Sequence, residues 1–343
     1  MADKPANKPS KKMTSSDKVE GLAPDAIHGE TTNEGFFTRL MNQFSVAWMF
    51  LTSIPLPKWW NKSVVFENAD TASRGENDDE TITSPDLSPD LGPDLGPDLD
   101  PDLDPDSSLD KSINMTPLSD TTRAWPIVGL AIGALSGGAL WLAANLGLHP
   151  LAASFVAMIT AAVVTGALHE DGLADVVDGF GGGSTRAQKL RIMRDSHIGA
   201  FGVMALVLIV GFKAGSMAGF NGPGFAAGAV LSAHVLSRSF LPMLMVALPP
   251  ARRNGLGHGA GVPKTENAVM AAAIGILIAI LTLGIGPGLV ASALAALGVA
   301  FMGTVAQRQI QGFTGDVLGA AQQISEALVI AGIAVVLRTV FYI

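Results

Sequence analysis

The chain has 343 residues, 48% of them hydrophobic and only 15% charged, with a mean hydropathy of +0.38; about a quarter would be charged in an ordinary water-soluble domain, so such a domain is excluded. The formal charge of −8 is unevenly spread, because residues 61–122 hold 16 acidic side chains against 3 basic ones and the remainder therefore carries +5. Cysteine is absent, which excludes disulfides and thiolate metal centres and leaves oxygen and imidazole ligands, the set that suits hard cations such as Mg²⁺.

Residues 1–35 are polar and lack an apolar period, which predicts a disordered tail; no apolar stretch backs its lysines, so it does not read as a cleaved secretory signal. Residues 36–60 form an apolar unit whose run from Phe44 to Pro57, FSVAWMFLTSIPLP, is too short for a crossing of about 20 residues and ends in two prolines. A re-entrant or interfacial segment is expected there. Residues 61–120 form an acidic insert that repeats Pro-Asp-Leu-x from Pro85 to Asp106. Proline at every fourth position forbids a helix and the recurring aspartates repel, so the insert is expected to be extended and disordered.

Residues 121–343 read as an all-α, polytopic membrane bundle of about seven spans. Uncharged runs extend from Trp125 to Leu148 and from Pro150 to Leu168, and further apolar stretches cover 198–220 and 223–248. Residues 267–307 contain no charged side chain and are broken by Gly284-Ile285-Gly286-Pro287-Gly288, the pattern of a hairpin of two spans; a last span runs from about Ala321 to Tyr342. Arginine and lysine cluster in alternate connections, at Arg186, Lys189, Arg191 and Arg194, at Arg252, Arg253 and Lys264, and at Arg308. Those connections belong on the cytoplasmic side.

The stretch 169–183, HEDGLADVVDGFGGG, carries the chemistry. If helical, Asp171, Asp175 and Asp178 project within about 60° of one another. Neighbouring carboxylates repel unless protonated or bridged by a cation, which points to Mg²⁺ held against phosphates. The glycines that follow, including Gly181 and Gly182, would let backbone N–H groups approach an anion, with Arg186, Lys189, Arg191 and Arg194 as phosphate partners. Asp316 opens the last span and either completes a metal site or caps the helix, a role Thr314 could also fill. Arg238 lies roughly 16 Å below the cytoplasmic end of its span and should pair with Glu326 or a substrate phosphate. Lys213 is expected to snorkel toward the outer surface. His169 is a candidate general base, whereas His197 reads as an interfacial histidine.

At these residues the sequence resembles the cobalamin synthase family, the membrane adenosylcobinamide-GDP ribazoletransferases. The matching pieces are FLTSIPLP at 50–57, TTRAWPIVGLAIG at 121–133, HEDGLADVVDGFGGG at 169–183, RIMRDSHIGAFGV at 191–203, PPARRNGLG at 249–257 and GFTGDVLGAAQQISE at 312–326. The resemblance implies transfer of adenosylcobinamide phosphate from its GDP adduct to α-ribazole or α-ribazole 5′-phosphate, with GMP released and Mg²⁺ required. It implies Asp171, Asp175 and Asp178 as metal ligands, with Asp195 and Asp316 as further candidates. Asp171, Asp175 and His169 would be catalytic, and Gly181, Gly182, Arg186, Arg191, Arg194 and Arg238 would bind substrate. The expected partners are corrinoid and nucleoside substrates and membrane lipid, not nucleic acid, in the bacterial inner membrane with the site facing the cytoplasm; a homo-oligomer or contact with other cobalamin-assembly enzymes stays open. The first alternative is a CDP-alcohol-type phosphotransferase, whose Asp-Gly-x-x-Ala-Arg spacing differs from Asp-Gly-x-Ala-Asp here. The second is a transporter, which would need mid-membrane ionisable groups on paired broken helices.

Overall fold

The computed structural model describes residues 36–56, 118–252 and 261–341. The polar tail, all but the last three residues of the acidic insert, residues 57–60 and Arg253 lie outside the described residues. Among the described residues the chain forms ten α-helices and no strand, with one isolated parallel bridge between Pro250 and Phe313. They are α1 (Phe36–Leu51), α2 (Trp125–Asn145, preceded by a 3-10 turn at Leu118–Ala124), α3 (Pro150–Thr165), α4 (Leu168–Gly182), α5 (Arg186–Ile192), α6 (Ala200–Ala218), α7 (Pro223–Ala247), α8 (Thr265–Leu283), α9 (Ile285–Ile310) and α10 (Gly315–Phe341).

Six helices, α2, α6, α7, α8, α9 and α10, are each long and apolar enough to cross a membrane. The expected seventh span is broken: α3 and α4 pass only as a pair, bent by 90°. The bend falls at Gly166 and Ala167, both left-handed with φ of 63° and 56°. An alanine in that region costs ~1–2 kcal/mol, so something must hold it. The end of α1 does so, because the Ser53 N–H donates to the Val164 carbonyl at 2.8 Å and the Ser53 hydroxyl to the Val163 carbonyl at 2.9 Å. The described part of this apolar segment thus ends against the kink of α3: the 16-residue α1, Phe36–Leu51, is followed by non-helical chain through Leu56.

Helix α7 is the axis of the bundle, with 78% of its apolar window buried against 22% for α6, which faces lipid. α2 lies along it on a stripe of glycines four residues apart. A Cβ on Gly129, Gly133 or Gly137 would stand 2.6 Å from the His234 carbonyl oxygen, 2.8 Å from Leu231 Cα and 2.7 Å from the Ala227 carbonyl oxygen. In lipid, where no hydrophobic gain drives helices together, such close backbone packing is what holds them. Gly284, with φ of 88°, turns α8 into α9, as the glycine-proline break predicted.

Candidate active site

Where α3 turns into α4, the new helix runs across the first turns of α10. Gly172 meets the Asp316 backbone, and Gly319 meets the His169 backbone, where an added Cβ would stand 3.2 Å away. This glycine-on-glycine crossing brings Asp171 and Asp175 of α4 beside Asp316 of α10. Asp171 is exposed, whereas Asp175 and Asp316 are half-buried. Burial, and after it the charges of Asp171 and Asp316, push the Asp175 carboxyl up to about 7.

Thr314 takes the capping role, its hydroxyl accepting from the Val317 N–H at 3.3 Å and donating to Asp316 Oδ2 at 3.2 Å. Asp316 is therefore left to face the carboxylates of α4. Arg252 Nη1 stands 3.9 Å from Asp316 Oδ2. Two backbone bonds hold its segment beside α10, Ala251 N–H to Phe313 O at 2.8 Å and Phe313 N–H to Pro249 O at 2.9 Å, and Arg252 Nη2 donates to Leu190 O at 2.8 Å. Arg252 is a site residue that sequence reasoning used only to set topology. Its signal was its place in PPARRNGLG.

Several expected site residues lie elsewhere. Asp178 shares a helix face with Asp171 and Asp175, but its oxygens accept the N–H groups of Gly199 at 2.7 Å and Gly202 at 2.9 Å. Both of its oxygens are thus engaged at the start of α6. Gly181 and Gly182 are not a loop; they form the last turn of α4. A helix C-terminus presents carbonyl oxygens, so it does not cradle a phosphate. Arg186 donates from Nε to Ile310 O at 2.7 Å and from Nη2 to Ala251 O at 2.6 Å, so it clamps α5 to neighbouring backbone. Lys189 bonds Gln309. Asp195 is turned onto its own loop, accepting the His197 N–H at 3.1 Å with His197 Nδ1 at 2.7 Å, and that bond holds its carboxyl below the usual range. Arg191 and Arg194 are exposed, and among the described residues their side chains have no hydrogen-bond or ion-pair partner.

Inside the bundle Lys213 does not reach for the outer surface. It is buried, and Nζ donates to Gln323 Oε1 at 2.7 Å and to Glu326 Oε1 at 3.0 Å. His234 Nδ1 lies 3.1 Å from Glu326 Oε2, and Arg238 Nη1 lies 3.2 Å from His234 Nδ1. The expected Arg238–Glu326 pairing is thus replaced by Lys213 and His234 on Glu326, with Arg238 on His234. Gln323 Nε2 then donates to Glu170 Oε1 at 3.1 Å, tying this network to the residue before Asp171.

Beside the carboxylates opens a cleft lined by Phe50, Leu51, Trp125, Leu168, His169, Asp171, Leu241, Gly315, Asp316, Leu318 and Gly319. It places His169 with Asp171 and Asp316. Phe50 and Trp125 were not singled out from the sequence, although both belong to quoted motif stretches.

A divalent cation fits the donor chemistry in a particular way. Among the described residues no group of three His, Asp or Glu side chains is set to enclose an ion unaided. Asp171, Asp175 and Asp316 offer hard oxygen donors, and the Asp175 carboxyl is raised first by its burial and then by the charges of the other two. Mg²⁺ binds through one or two carboxylates, keeping waters and substrate phosphate oxygens, and such an ion fits here.

Fold and site together define a polytopic helical membrane protein whose carboxylates flank a cleft where two helices cross. The chain belongs to the cobalamin-5-phosphate synthase (CobS) family, whose profile matches residues 107–334. It is 42% identical over 214 residues to the adenosylcobinamide-GDP ribazoletransferase of Bradyrhizobium diazoefficiens, covering 62% of this chain and 82% of that protein. It is likewise 42% identical over 222 residues to the protein of that name from Azorhizobium caulinodans, covering 63% and 84%. No solved structure matches the chain.

Proposed function

We propose that this chain is an adenosylcobinamide-GDP ribazoletransferase, joining the activated corrinoid to α-ribazole or its 5′-phosphate in the nucleotide-loop assembly step of cobalamin biosynthesis. The relatives' names support this reading, and the meeting of Asp171, Asp175 and Asp316 beside a cleft is the observation that carries it. In the reaction a ribose hydroxyl oxygen of the acceptor bonds to the cobinamide-linked phosphorus. The bond from that phosphorus to the oxygen bridging to GMP breaks, and GMP leaves with the electron pair.

The hydroxyl proton passes to a base at the cleft. His169 lines it and is the candidate for that role, Asp175 being kept for the cation. Asp171, Asp175 and Asp316 would hold Mg²⁺, which when bound neutralises phosphate charge. Arg191 and Arg194, exposed and without partners among the described residues, would steady the GMP phosphate, with Arg252 near enough to Arg194 to feel its charge. Arg186, Gly181 and Gly182 drop out of that set.

The site faces the cytoplasm of a bacterial inner membrane in this reading. The basic connections support it, because Arg186 and Arg252 lock the α4–α6, α7–α8 and α9–α10 connections together on one face. The test is an assay of membrane fractions with adenosylcobinamide-GDP and α-ribazole 5′-phosphate, with and without Mg²⁺. GMP release coupled to a cobalamin product only with both substrates and the cation is expected. CMP release from a CDP-alcohol in its place would overturn the reading.

A further inference from the structure

The cleft is ordered by depth. At its mouth stand Leu168 and Asp171, both exposed, with half-buried Gly315 and Asp316. Its floor and far wall are Leu51, Trp125, Leu241 and Leu318, all at most 5% exposed, with buried His169. The enclosed part of the cleft measures about 50 Å³, and it opens without a boundary to the outside at the mouth. Trp125 turns a ring and not a donor toward this space, since its indole N–H is given to Thr121 Oγ1 at 3.3 Å. Phe50 stacks on Trp125 with ring centroids 6.0 Å apart and planes 23° apart.

Among the described residues no lysine or arginine lines the cleft. A phosphate seated on the floor would therefore meet no cationic side chain, and the carboxylates at the mouth would oppose its entry. Guanine would bring several amide and amino groups to a floor whose one polar side chain is His169, so most of them would be buried unpaired. An uncharged, fused-ring heteroaromatic base with no exocyclic donor or acceptor makes no such demand. It would gain from aromatic and aliphatic contact alone. Of the groups in the proposed reaction, the benzimidazole base of the acceptor nucleoside is the one with that chemistry.

We propose that this cleft binds the acceptor nucleoside by its apolar, fused-ring base, seated against Trp125, Leu241 and Leu318, with its ribose at the mouth between Asp171 and Asp316. The assignment rests on the transferase reading and adds to it the location and specificity of the acceptor. It places the attacking hydroxyl at the carboxylates and leaves the donor pyrophosphate to approach from the side of Arg191, Arg194 and Arg252.

The test uses the full chain in membranes or detergent, with adenosylcobinamide-GDP as donor and two acceptors, α-ribazole and a ribonucleoside whose base is imidazole, a single ring. Wild-type GMP release checks the transferase reading by itself. Leu241→Trp, which fills the floor, should raise KM for α-ribazole at least tenfold, leave the donor KM within twofold, and shift preference toward the single-ring acceptor. Leu241→Ala should shift preference the other way. Leu318→Phe, which narrows the cleft from α10, supplies the same reading should Leu241→Trp fail to insert. A rise in donor KM instead, or an equal loss with both acceptors in variants that retain membrane insertion, would overturn the assignment while leaving the transferase intact.

Discussion

Gly172 and Asp316 touch so closely that a methyl group on Gly172 would stand 2.9 Å from the Asp316 carbonyl oxygen and 3.0 Å from its Cα. Both obstacles are backbone, so no side chain can swing aside. Gly172→Ala must therefore push α4 off α10 and carry Asp171 and Asp175 away from Asp316. Overpacking of this kind costs about 1–3 kcal/mol. The expected outcome is a lowered Tm and a roughly tenfold or larger loss of kcat, since misplacement of reacting groups is costly. Gly138→Ala is the control, because nothing lies within 4 Å of its added Cβ; it should leave both quantities unchanged.

The carboxylates divide into two groups by what they touch. Asp171→Asn, Asp175→Asn and Asp316→Asn should each lower kcat by about 100-fold, the scale of losing one group that stabilises charge in a transition state. Asp178→Asn should act on stability, by about 1 kcal/mol as for loss of a helix cap, and keep kcat within a few-fold of wild type. Steady-state kinetics beside thermal unfolding in detergent separates the two groups. An Asp178→Asn protein that is inactive yet as stable as wild type would show that capping is not its task.

Much of this fold was legible because a bilayer demands long apolar runs, and the runs at 125–148, 223–248 and 267–307 could be counted without knowing any contact. The bend at Ala167 was not legible, since an alanine gives no local signal for positive φ and the support comes from Ser53, more than a hundred residues earlier. Helical spacing correctly put Asp171, Asp175 and Asp178 on one face of one helix. It could not say what stands opposite that face: α10 at its first turns and the start of α6 at its third. Lys213 was misread for the same reason, because its partners on α10 lie over a hundred residues away.

The raised pKa of Asp175 gives a pH signature in the metal-free protein. A carboxyl at about 7 in the fold and 3.8 in its unperturbed state favours folding fully at low pH, and that contribution is lost as pH rises from about 4 to about 7. Asp175→Asn removes the titrating group. With chelator present, its Tm relative to wild type should therefore climb across that window and level off above it. Adding Mg²⁺ at pH 8 should stabilise wild type more than the variant. A difference in Tm that stays flat from pH 4 to 8 would show that burial and the charges of Asp171 and Asp316 do not raise the Asp175 carboxyl.

The acidic repeat stands apart from this machinery. The family profile begins at residue 107, just beyond Pro85 to Asp106, and no site residue falls within the repeat. Deleting Pro85 to Asp106 should leave kcat and both KM values within about twofold, since long polar insertions in loops carry little thermodynamic weight. A deletion variant that inserts normally but releases no GMP would assign the repeat a part in catalysis.

The buried network at Glu326 bears on stability and on α4 together. Lys213 and Glu326 are 3% and 6% exposed in their side chains and 3.0 Å apart, so removing one partner leaves a charge stranded among apolar helices. That loss is worth about 3–5 kcal/mol for a buried pair. Lys213→Met and Glu326→Gln should each lower the unfolding midpoint in detergent by that scale. The double variant should lose less than the two together, because neither charge is then left alone. Gln323 donates both within this network and to Glu170 at 3.1 Å, so Gln323→Met should also loosen α4 and lower kcat more than a surface change of equal stability cost. Strict additivity of Lys213→Met with Glu326→Gln would mean that their contact does not hold α6 to α10.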